Sequence, residues 1–213
     1  MKTEIIAIID KSTSMMNLVA ETIKGFNSFI DGQKAVEGEC NVTTVLFSGR
    51  EETAYEVLYT ALPLASVPEM STAQYRCGGW TAMFDAIGTS VEAAGQRFAS
   101  MSEADRPTKV IVLIITDGEE NSSRKFNQEQ IKATIKHQED KYAWEFMFLG
   151  ANIDTVKVGS NLGMKMSNVS NYSADAIGTS IAYDAFSTKS AGLRRGMTAN
   201  SINLASVVAN GGK

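Results

Sequence analysis

Apolar positions fall into two rhythms along this chain. A β-branched run at positions 5–9 stops at Asp10, and a second at 110–115 stops at Thr116-Asp117-Gly118. Short, almost unbroken apolar runs of this kind predict strands buried on both faces, as in a parallel sheet covered by helices. After the first run, Met15, Leu18, Val19, Ile23, Phe26, Phe29 and Ile30 recur at helical spacing, with Glu21, Lys24 and Asp31 on the opposite side, which predicts an amphipathic helix. Met83, Phe84, Ile87, Val91, Ala94 and Phe98 predict another, reaching about Ser100, and helical signals return at 128–140, 153–162 and from Ser173 to about Ser187. Positions 41–47 and 54–61 read as strands joined through Ser48-Gly49-Arg50, a link short enough for an antiparallel hairpin. Further strands are predicted at 143–149 and, weakly, at 167–172. Residues 62–79 hold two of the three prolines and form the longest irregular stretch. Positions 1–190 read as one domain and 191–213, rich in Ser, Asn, Ala and Gly, as a C-terminal tail with the composition of a mobile segment.

Strands alternating with helices define an α/β fold whose parallel strands deliver Asp10 and Asp117 to the same sheet edge, because right-handed crossovers return each strand in the same direction. Ligand sites in such folds lie beyond the carboxyl ends of the strands. With 213 residues the chain is long enough for one sizeable core. A formal charge of -4 with scattered Lys and Arg gives no footprint for nucleic acid or an anionic membrane. Cys40 and Cys77 match neither a metal knuckle nor a disulfide framework and read as reduced thiols. Five apolar residues before Asp10 are too few for a signal segment, so the expected compartment is the cytoplasm.

Oxygen ligands are concentrated where the first run ends. In an extended backbone Asp10, Ser12 and Ser14 can turn to one point while Lys11 and Thr13 face elsewhere. A hard, oxygen-only set suits Mg²⁺, Mn²⁺ or Ca²⁺ better than zinc or copper. The same residues also read as a helix cap and a turn support, and Thr81, after Gly78-Gly79-Trp80, reads as a cap of the helix it precedes. Glu119 and Glu120 read as solvated loop charges, and His137, the one histidine, as a surface residue.

Taken together, Asp10-x-Ser12-x-Ser14, Thr81 behind a double glycine and Asp117 in Thr-Asp-Gly resemble the von Willebrand factor A (vWA) domain family and its metal-ion-dependent adhesion site (MIDAS). The similarity spans about residues 3–165 and includes Phe84-Asp85-Ala86-Ile87 in the helix after the threonine. It implies a Rossmann-like, doubly wound, mostly parallel six-stranded sheet with one antiparallel edge strand and helices on both faces, in agreement with the strands read above. It also implies that Ser12 and Ser14 hold Mg²⁺ (or Mn²⁺ or Ca²⁺) directly, that Thr81, Asp10 and Asp117 do so directly or through water, and that a Glu or Asp of a partner protein completes the coordination. Trp80 departs from the small residue expected beside that threonine, either flanking the ion or packing under the loop. The absence of disulfides gives the chain the style of stand-alone intracellular bacterial or phage members.

The expected function is therefore a non-enzymatic, metal-dependent protein-binding module, with self-association left open. The alternatives are a vWA subunit of an ATPase or chelatase-type assembly, and a Mg²⁺-dependent phosphohydrolase. The last lacks a second acid at position 12, a phosphate-binding loop and a placed histidine base.

Overall fold

A computed structural model describes residues 1–49 and 54–213. Among these residues six strands form one sheet: β1 (Thr3–Asp10), β2 (Cys40–Phe47), β3 (Tyr55–Pro63), β4 (Lys109–Thr116), β5 (Glu145–Gly150) and β6 (Val169–Asn171), in the order β3-β2-β1-β4-β5-β6. Every neighbouring pair is parallel except β2 and the edge strand β3. The expected hairpin is present, and Ser48 donates its N–H to Ala54 O at 3.0 Å. Arg50 of its predicted turn lies outside the described residues.

Among the described residues six α-helices cover the sheet: α1 (Val19–Lys34), α2 (Met83–Ser100), α3 (Gln128–Tyr142), α4 (Thr155–Asn161), α5 (Ala176–Arg194) and α6 (Leu204–Ala209). Alternation within the buried strands divides the core in two. Ile5, Ala7, Ile9, Ile111, Leu113 and Ile115 face α1, α5 and α6, where they meet Phe26, Phe29, Tyr183, Phe186 and Leu204. Ile6, Ile8, Val110, Val112 and Ile114 face α2 and α3 and meet Ile87, Val91, Ile131 and Ile135. The near-continuous apolar runs follow directly: a strand with helices on both sides has no solvent face to mark with polar residues.

Three departures from the sequence reading have physical causes. The first helical stretch opens as a 3-10 turn, Thr13–Leu18, before α1 begins. The turn still buries Met15 and Leu18, an i, i+3 pair, so the apolar pattern is satisfied by either winding. The irregular stretch starts later than expected, because β3 continues to Pro63 beside β2 and absorbs a register shift near Thr43 with Ala61 at positive φ.

The third departure is at the end of the chain, where residues beyond 190 pack instead of trailing as a tail. Leu193, Leu204 and Val207 join the core. Arg194 donates to Gln33 O at 2.6 Å and Val36 O at 3.0 Å, which supplies donors to the carbonyls at the end of α1. Lys189, fully buried, donates from Nζ to Ser167 O at 2.7 Å and to the carbonyls of Ala199 and Ile202. No helix among the described residues is long and apolar enough to cross a membrane.

Candidate metal site

The strand order reverses direction between β1 and β4: the chain builds outward through β2 and β3, then returns to β1's other side. A crevice at the carboxyl ends of the strands opens at such a switch point. Asp10 is the last residue of β1, and Asp117 follows the last residue of β4.

Asp10 is fully buried and held from both sides: Ser12 N–H donates to Oδ1 at 2.6 Å, and the Thr116 hydroxyl to Oδ2 at 2.5 Å. The Tyr75 hydroxyl, from the irregular stretch, donates to the Asp10 carbonyl and ties that stretch to the end of β1. Burial raises the Asp10 carboxyl from 3.8 to about 6 despite those hydrogen bonds. Asp117 is raised as well, again chiefly by burial and against a hydrogen bond from Ser14. Two desolvated carboxylates thus sit at one strand edge, and the adjacent cation does not neutralise them. The Lys11 ammonium turns to Glu56 Oε2 at 2.5 Å.

The hydroxyls converge on these acids. Ser14 Oγ donates to Asp117 Oδ1 at 2.5 Å and lies 3.1 Å from Ser12 Oγ. Gly118 lies between two of the loops: a Cβ there would stand 3.1 Å from Thr81 Oγ1 and 3.3 Å from Ser14 Oγ. All five residues predicted from the sequence therefore meet in one place, from three loops that are remote in sequence. Lys11 and Thr13 do face away, and the Thr13 hydroxyl donates to Gly79 O at 3.0 Å.

The capping readings are not taken up. Ser12 precedes the 3-10 turn without a side-chain cap bond, and the residue before α2 is Ala82, not Thr81. Glu120 serves the start of α2 instead. Its Oε2 accepts from Phe84 N–H at 2.9 Å and its Oε1 from the N–H groups of Ser122 and Ser123, so it is not the solvated loop charge that the sequence suggested. Asp85 reciprocates, accepting the N–H groups of Arg124, Lys125 and Phe126 at 2.8–2.9 Å. Asn121 closes the arrangement, accepting Thr81 N–H at 2.8 Å and donating its own N–H to Thr81 O. Glu120, Asp85 and Asn121 thus fix the Thr81 loop to the Asp117 loop. No local sequence pattern marks them, since their partners lie about 40 residues away.

Trp80 resolves one of the alternatives. The residue is 70% exposed, so it does not pack under the loop. Its backbone is pinned, with its carbonyl accepting Gly49 N–H at 2.5 Å.

The donor set fits a hard divalent cation. Among the described residues no three His, Cys, Asp or Glu side chains gather into a metal cluster. This site has two carboxylates and draws its other donors from hydroxyls, a set that suits oxygen-seeking ions and leaves them electrophilic.

No family model matches the sequence, and no curated protein matches it. Solved structures do. The manganese-loaded TRAP protein of Plasmodium vivax superposes with a TM-score of 0.57 at 15% identity, over 81% of this chain and 69% of that one. Proximal thread matrix protein 1 from the mussel byssus, with a zinc-occupied MIDAS motif, gives 0.58 at 15% identity over 89% of this chain. A second crystal form of it gives 0.57. The chain spans 46% of the mussel protein's length. At such identities the likeness is one of fold, and the fold is the vWA-like one.

Proposed function

We propose that this chain is a non-enzymatic protein-binding module built on a divalent cation. Asp10, Ser12, Ser14, Thr81 and Asp117 would hold Mg²⁺ or Mn²⁺, and a carboxylate of a partner protein would complete the coordination. The observation that carries this reading is the meeting of Ser14 with Asp117 at 2.5 Å across 103 residues of sequence, with Thr81 Oγ1 beside them at Gly118. When bound, the ion supplies a Lewis-acidic position for a carboxylate. The protein's own groups orient and desolvate: Thr116 and Ser12 aim Asp10, and the Glu120 and Asn121 clamps hold Thr81.

Two solved structures of similar fold carry manganese and a zinc-occupied MIDAS motif, which supports a divalent ion here. The single histidine, His137, belongs to α3 and lines a cavity at the starting end of β4, so no imidazole base serves Asp10 or Asp117. That favours binding over hydrolysis. The test is calorimetric titration of EDTA-stripped protein with Mg²⁺ and Mn²⁺, beside the Ser12→Ala, Ser14→Ala double variant. Saturable binding by the wild type, lost in the double variant, is the expected result. Equal binding by both would remove the site assignment.

A further inference from the structure

A cavity lies at the other end of the molecule from the candidate metal site, between α2 and α3 where β4 begins. Its volume is about 350 Å³, and it is lined by Gly95, Phe98, Arg106, His137, Tyr142 and Trp144 among others. This is within the size range of small-molecule sites. We propose that it binds a small planar aromatic anion, a ring bearing one carboxylate or sulfonate.

Three independent features point to that class. The first is an aromatic lining: the core rings of Phe98 and Trp144, 9% and 4% exposed, meet edge to face at 5.8 Å, and Tyr142 stands 53% exposed beside the opening. Flat rings of this kind favour an aromatic guest that can stack or meet them edge-on. The second is charge. Arg106 is exposed and forms no ion pair with a described residue, so its guanidinium is available to an anion. The nearby acid Asp105 is already engaged, by Lys2 and by Ser102 at 2.6 Å. His137 packs edge-on against Tyr142 at 5.7 Å and adds a ring N–H donor to the same rim.

The third feature is the glycine. Gly95 sits inside the 18-residue helix α2, where glycine is less favourable than alanine. Tight packing does not demand it, because a Cβ at Gly95 would meet no atom within 4 Å. Gly25 in α1 differs in this respect, since a Cβ there would stand 2.3 Å from the Tyr183 ring. What Gly95 does provide is volume, since it lines this cavity and the neighbouring groove along α2 and α3. The site is separate from the metal site, which lies at the opposite ends of β4 and α2, so its failure would leave the proposed function untouched.

The experiment is a fluorescence titration with 8-anilinonaphthalene-1-sulfonate, an aromatic monoanion that brightens on leaving water, followed by displacement with 2-naphthoate. Saturable binding at one equivalent is expected, with energy transfer from Trp144. Gly95→Leu fills the space and should weaken binding by roughly tenfold or more while the far-ultraviolet spectrum and Tm are kept. Arg106→Glu, on an exposed side chain that the fold does not use, should weaken the anion and leave the uncharged probe N-phenyl-1-naphthylamine unchanged. Absence of saturable binding by the wild type overturns the proposal. So does unchanged affinity in Arg106→Glu, which keeps the test decisive should Gly95→Leu fail to fold.

Discussion

At the scale of single residues, Asp10 sets a conflict between folding and charge that the proposed ion would relieve. Its carboxyl rises from 3.8 to about 6 on folding. The folded state therefore binds the proton more tightly than the unfolded chain, and metal-free stability falls as pH climbs between those values. By neutral pH this costs roughly 3 kcal/mol. The same deprotonation creates the ligand, so Mg²⁺ should add little to Tm at pH 5 and progressively more toward pH 7, as scanning calorimetry with and without EDTA would measure. Asp10→Asn should raise the Tm of the EDTA-treated protein at pH 7 by several degrees and abolish the response to Mg²⁺. A variant that still responds would show that the ion binds elsewhere. Trp80, by contrast, should be thermodynamically silent: with the residue exposed, Trp80→Ala is expected to change stability by less than about 0.5 kcal/mol and to leave Mg²⁺ affinity intact.

At the scale of elements, the sequence was most readable where an element satisfies itself. The buried runs of β1 and β4 and the stripes of α1 and α2 are legible because burial on two faces, or on one stripe, fixes composition position by position. The five residues proposed to hold the ion could be grouped from the sequence because they lie in the short segments beside the ends of β1, β4 and α2. What could not be read was cross-element hydrogen bonding: Glu120 serving α2, and Asp85 holding the 124–126 backbone. An acid in a loop has the same sequence signature whether it is solvated or capping a helix 36 residues away. Glu120→Ala should cost about 0.5–2 kcal/mol, as other lost helix caps do. It should also weaken Mg²⁺ binding, because the Thr81 loop loses its clamp. A Tm loss with unaltered Mg²⁺ affinity would confine Glu120 to a structural role.

At the scale of the whole molecule, one face of the sheet is completed only by the last part of the chain. α1 and α5 pack against each other closely enough that Gly25 cannot carry a side chain without meeting the Tyr183 ring. Beyond α5 the sequence offers few apolar positions; Leu204 and Val207 pack into the core, and two long basic side chains of α5 add polar anchors at this end of the molecule. Lys189 gathers the carbonyls of Ser167, Ala199 and Ile202, and Arg194 those of Gln33 and Val36. Such anchors are invisible to periodicity, because a lysine or arginine in a polar segment ordinarily signals solvent. Their burial makes a specific demand: the backbone carbonyls must satisfy the cation, and removing the Lys189 ammonium takes its donor from three part-buried carbonyls. Lys189→Met keeps the length of the side chain and its apolar stem while deleting the donor, so its effect isolates the hydrogen bonds from the packing. We expect a loss of about 2–4 kcal/mol on denaturant unfolding. Amide exchange should accelerate first in residues 199–209, whose attachment the lysine secures, before it spreads to the sheet. Exchange that instead accelerates evenly across the molecule would show that the C-terminal segment and the sheet unfold as one cooperative unit.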